Sequence, residues 1–219
     1  MHPNSRPLCR IGATLAAALA LAGTATAAPV FSTGPTQGLF ESGAFGLGFD
    51  FYVSSAFTLI ADSRITGIDF GTWHNVELPV DPSSLSYNWS IGTTFFGSEV
   101  ASASGVGYTS TYLRETVPLS VYGVYDTSID LPGLDLPAGT YYLTLHANTA
   151  PGVQALWDGQ NTLVDESLTR QRFGPTDDHV PRSRTTFTIQ GQQLVPEPPV
   201  VALLALGALA LGRSTRRGS

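Results

Sequence analysis

Lysine is absent from this chain and cysteine nearly so. Its one cysteine, Cys9, precedes the first apolar run. Removal of the N-terminal segment described below takes that thiol away. No disulfide framework is then available, and stability has to come from core burial. None of the 11 basic residues is lysine, and the formal net charge is −6. An acidic domain repels phosphate backbones, which argues against nucleic acid as a partner. Outside the C-terminal tail no segment sustains a helical apolar period, which argues against a helix bundle. Charged residues make up only 13% but hydrophobic residues reach 42%, enough to build a core rather than a disordered chain.

What the chain has instead is alternation. Leu85, Tyr87, Trp89 and Ile91 alternate with Ser86, Asn88 and Ser90. "TYYLTLHA" sets Tyr141, Leu143 and Leu145 against Tyr142, Thr144 and His146. "TTFTIQ" sets Phe187 and Ile189 against Thr186, Thr188 and Gln190. A period of two with one apolar face predicts half-buried strands, and Trp89 is expected in the core. "FTLIAD" and "ITGIDF" predict two further short strands around Asp62, Ser63 and Arg64. In "LPAGT", Pro137 fixes φ and Gly139 permits a positive φ, which predicts a turn. Many short strands separated by turns predict an all-β domain over 28–193, an antiparallel β-sandwich or jelly roll.

The two ends read as targeting segments. Arg6 and Arg10, the apolar run Ile11 to Gly23 and the small-residue site Ala25-Thr26-Ala27 predict a secretory signal peptide over 1–27, with the mature chain starting at Ala28. The span 194–219 carries Pro196-Glu197-Pro198, an apolar run from Pro199 to Gly212, and Arg213, Arg216 and Arg217. As a helix the run covers about 21 Å, short of the roughly 30 Å of a bilayer core. The arginines favour the cytoplasmic side and leave the domain outside. This predicts a short transmembrane helix that holds the exported protein only briefly.

That order of proline-glutamate-proline, apolar helix with Leu203-Leu204-Ala205-Leu206-Gly207 and basic tip resembles the PEP-CTERM sorting signal of Gram-negative bacteria. The resemblance covers about Val195 to Arg217, and the arginine cluster departs from it in being interrupted by Ser214 and Thr215. It implies that exosortase removes the tail after export through the Sec translocon and cleavage by signal peptidase. It also implies passage from the inner membrane to the cell surface, or to the exopolysaccharide of a biofilm matrix. More loosely, Phe57 to Leu59, Ile65 to Phe70, Leu134 to Leu145 and Trp157 resemble a β-sandwich ectodomain found among PEP-CTERM proteins. That resemblance implies a fold and no catalytic residues.

For the domain itself the expectation is a structural or adhesive role without catalysis. No Gly-x-Ser-x-Gly occurs. His74, in "TWHNVE", is expected in a loop, and His146 on a solvated strand face. Carbohydrate binding is the alternative. Trp73 with His74 and Asn75, and Trp157 with Asp158, Gln160 and Asn161, place aromatic rings beside amides, and sugar rings stack on such faces. No zinc spacing is present, and no cofactor is expected. The "WDGQN" stretch, read as a loop, makes Asp158 with Asn161 a weak Ca²⁺ candidate. Arg170, Arg172, Arg182 and Arg184 with Asp177 and Asp178 are expected to pair with one another on a polar loop.

Overall fold

A computed structural model describes residues 28–39, 43–77, 83–119, 121–160, 168–174, 177–179 and 184–194. The expected signal peptide, the Pro196-Glu197-Pro198 motif, Arg213, Arg216, Arg217, Asn161 and Arg182 all lie outside these residues. The described chain is all-β, with 68% of its residues in strands of two antiparallel sheets and no α-helix.

One sheet has eight strands. Its axis is β4 (Ser63–His74). β14 (Phe187–Gln193) lies along Ser63 to Phe70 on one side of it, and β1 (Ala28–Ser32) pairs outside β14. Toward the end of β4, β10 (Ala155–Gln160) takes over from β14 and also pairs with β2 (Ala44–Gly46) and β13 (Arg184–Thr185). On the other side β8 (Gly123–Leu136) runs the full length of β4, and β7 (Thr109–Glu115) pairs outside it. The second sheet has six strands in the order β12 (Asp177–His179), β11 (Thr169–Phe173), β3 (Phe51–Leu59), β9 (Gly139–Thr149), β5 (Leu85–Gly92) and β6 (Ala101–Val106).

The core sits between the sheets and follows the alternation. From the six-stranded sheet come Leu85, Tyr87, Trp89, Ile91, Tyr141, Leu143 and Leu145. From the eight-stranded sheet come Ile65, Ile68, Phe70, Ile129, Trp157, Phe187 and Ile189. Each large apolar side chain buried this way contributes about 1.5–3 kcal/mol. The aromatics meet edge to face: Phe70 against Tyr87 at 5.3 Å and Trp157 against Phe187 at 5.7 Å. Two face-packed antiparallel sheets around one core make the fold β-sandwich-like.

Local corrections follow from strands being longer than their sequence signals. Ser63 and Arg64 belong to β4 rather than to the turn before it. β8 runs to Leu136 and β9 begins at Gly139, so the turn is Pro137-Ala138. Gly139 is not among the positive-φ glycines and continues the strand.

The register defines two poles. Gln193 pairs with Ser63, Ser63 with Leu136, Leu59 with Gly139 and Ala28 with Gly191, which gathers both ends of the described chain at one pole. His74, Gly123, Glu115, Ala155, Leu85 and Thr149 mark the other. The length of β4 sets the poles roughly 35 Å apart.

Candidate functional site

The residues expected to face a ligand are inside. Trp157 points into the core, is wholly buried, and donates from Nε1 to the Thr186 carbonyl at 2.8 Å. Trp73 alternates to the outer face of the eight-stranded sheet but is also buried. A segment from Thr33 to Leu39 crosses that face, with Thr33 N donating to the Phe187 carbonyl and Val117 N to the Gly38 carbonyl. Neither indole presents a face on which a sugar could stack, so the glycan role expected of Trp73 and Trp157 is corrected. Trp157 is simply a core side chain, whereas Trp73 is buried by coverage that alternation cannot reveal: an outward position becomes internal when another segment lies over it.

Asp158 holds that segment down. It lies in β10, not in a loop, and is completely buried. Oδ2 accepts from Gln37 N at 2.7 Å and Thr186 Oγ1 at 3.1 Å, and Oδ1 from Gly38 N at 2.9 Å and Trp73 Nε1 at 2.7 Å. Burial pushes the carboxyl above its ordinary range, and the four donors oppose that shift. Oxygens already taken by four donors leave no place for Ca²⁺, so Asp158 is structural rather than a metal ligand. Gly38 has φ +62°, and a side chain there would strike Val124.

The histidines also differ from expectation. His74 ends β4 instead of sitting in a loop and is 1% exposed. Its Nε2 lies 3.2 Å from the Tyr87 hydroxyl, and Tyr125 meets its ring edge to face at 5.6 Å. Burial lowers its pKa to about 4, against a smaller raising effect of the Gln154 carbonyl, so the ring is neutral near pH 7. Burial likewise raises the Tyr87 hydroxyl. With Thr72 and Thr127, whose hydroxyls are 2.7 Å apart, these groups form a buried polar cluster at the far end of the core. His146 is buried on the outer face of its sheet, not solvated. It stacks on Tyr52 at 4.5 Å and donates from Nδ1 to the Phe51 carbonyl at 2.9 Å.

Arg170 and Arg172 project from strand β11 rather than from a polar loop. Arg170 lies over Phe95 at 4.8 Å, and Arg172 over Phe96 at 4.4 Å and Tyr52 at 5.3 Å. Arg184 in β13 lies over Phe31 at 5.4 Å, and its burial lowers its pKa. Cation–π stacking, not visible as a sequence spacing, organises these three guanidinium groups.

One concavity was not anticipated. It is a cleft of about 450 Å³ at the pole opposite the chain ends, within the size range of small-molecule sites. β7 and β8 form one wall through Tyr112, Glu115 and Tyr125, with Tyr122 just before β8. The end of β4 and the residues after it bring His74 and Glu77. Tyr112 stands 54% exposed at the rim, edge to face with Tyr125 at 5.4 Å, so a row of rings runs from His74 through Tyr125 to the mouth. Asn75 is committed to the scaffold: Nδ2 donates to the Gly152 carbonyl and Oδ1 accepts from Gln154 N, both at 2.8 Å. The Tyr122 hydroxyl is likewise held, donating to Gln154 Oε1 at 2.9 Å. The working groups of the cleft are therefore its rings and the Glu77 and Glu115 carboxylates. The sequence signal was weak, because "TSTYLRE" has no apolar alternation and Glu77 and Tyr112 meet only through the pairing of β4, β8 and β7.

No protein-family model matches the chain, and no curated protein matches it in sequence.

Proposed function

We propose that this is an exported, non-catalytic protein of the cell surface or extracellular matrix, with a structural or adhesive role, sorted by exosortase through its PEP-CTERM tail. The observation that supports this reading most is polar. β1 and β14, the first and last described strands, pair with each other. Ala28 and Gln193, the strand residues next in sequence to the two expected targeting segments, lie at one pole, and the cleft lies at the other. A protein held at a membrane by its tail then presents the cleft outward. Prolines at 196 and 198 disfavour a helix, which suits a motif that a membrane enzyme has to reach. Replacing Pro196-Glu197-Pro198 with three alanines is expected to trap an uncleaved precursor in the inner membrane and reduce surface display. Neutralising Arg213, Arg216 and Arg217 is expected to weaken processing by loosening orientation. Normal processing of the triple-alanine protein would count against the reading.

The second reading is a carbohydrate-binding module that engages exopolysaccharide. The tyrosine-lined cleft favours it, in place of the buried tryptophans. A glycan array probed with the exported protein tests it: specific binding lost on Tyr112→Ala supports the module, and a blank array removes it.

A further inference from the structure

We infer that the far-pole cleft selects a saccharide unit carrying a free amine over its N-acylated or acidic counterparts. This deepens the carbohydrate-binding reading of the same cleft and rests on it.

The charge pattern carries the argument. Two carboxylates, Glu77 and Glu115, line the cleft, and no lysine or arginine does among the described residues. Arg114, beside Glu115 in sequence, is turned away and donates from Nη2 to the Gln37 carbonyl. His74 adds no cation near neutral pH, because its ring stays unprotonated in the fold. A polyanion entering here would lose water without gaining a partner. An ammonium gains twice: the carboxylates accept charge-assisted hydrogen bonds from it, and the electron-rich faces of the tyrosines attract it.

The shape argues for a sugar over a peptide. An exposed tyrosine at the rim offers a flat face for the C–H side of a pyranose, and the carboxylates reach groups on its edge. The exposed edge of a strand is the usual dock for a peptide. Here the far end of β7 is partly occupied, because Leu39 bridges Val117 and Val117 N donates to the Gly38 carbonyl.

Isothermal titration of the protein as exported, with tetramers of glucosamine, N-acetylglucosamine, galacturonic acid and lysine, tests the inference. The glucosamine tetramer is expected to bind about tenfold or more tightly than its N-acetylated form, and the galacturonic acid tetramer not at all. Glu115→Gln and Glu77→Gln are each expected to weaken glucosamine binding about threefold to tenfold, and Tyr112→Ala about tenfold, with melting unchanged because all three lie at the surface of the cleft. Equal binding of the two glucosamine forms would overturn the amine selectivity and leave the carbohydrate reading standing. Binding of the lysine tetramer as tight as that of glucosamine would overturn it in favour of a protein partner. Binding of no sugar would overturn both readings of the cleft. None of these outcomes touches the sorting proposal, which is read from the tail.

Discussion

Protonating His74 in the folded protein places a cation between Tyr87 and Tyr125, away from solvent. The unfolded chain has no such penalty and takes up the proton near pH 6.5. Because the folded pKa is depressed to about 4, the stability tied to the neutral ring is fully present above about pH 6.5 and is lost as pH falls to about 4. The expected loss across that window is about 3 kcal/mol. Urea titrations at several pH values check this, and His74→Gln should flatten the slope. Subtracting one profile from the other isolates His74, since the buried Asp158 carboxyl is common to both proteins. Parallel profiles would show that the ring is not buried as described. A second residue-scale expectation concerns Asp158. Asp158→Ala strips the acceptor from two backbone N–H groups, one indole N–H and one hydroxyl. The expected cost is about 3–5 kcal/mol. Calcium should not change the melting of the unmutated protein, and a calcium-dependent rise abolished by the substitution would restore the metal reading.

Among the elements, β10 and β4 show what alternation reveals and what it conceals. The inward faces were legible: Leu85 to Ile91, Tyr141 to Leu145 and Phe187 to Ile189 all bury the predicted side chains. A period of two depends only on local geometry and one apolar face. The outward faces were not legible, because their environment depends on segments distant in sequence. Trp73 and Asp158 are enclosed by residues 33–39, His146 is capped by Tyr52, and Arg172 is stacked under Phe96 from the loop between β5 and β6. The cleft was illegible for the same reason, since it joins β4, β7 and β8. The contrast has a direct test. Trp157→Ala removes the largest fully buried side chain and should cost about 3–5 kcal/mol, whereas Tyr112→Ala at the cleft rim should cost under about 1 kcal/mol. Gly71→Ala is expected to be more costly than its size suggests. Its methyl would lie 2.6 Å from Thr186 Oγ1 and 2.7 Å from Thr36 Cγ2, forcing residues 33–39 off the sheet. Raised proteolysis near Thr36 in that variant would report the displacement, and unchanged resistance would argue against the close approach.

At the scale of the whole molecule, direction matters most. Ala28 and Gln193 lie on neighbouring strands at one pole, and the acidic tyrosine cleft lies at the other, roughly 35 Å away along β4. Cutting at the base of such a domain removes its attachments without opening the core, because the strands that carry the ends, β1 and β14, pair with each other and with β4. Both ends are therefore expected to be trimmed and the released domain to stay folded. Intact-mass spectrometry of the protein recovered from the surface of its native host tests this most directly. The predicted species begins at Ala28 and lacks Arg213, Arg216 and Arg217. A surface species that retains those arginines would contradict exosortase sorting and leave the tail as a plain membrane anchor.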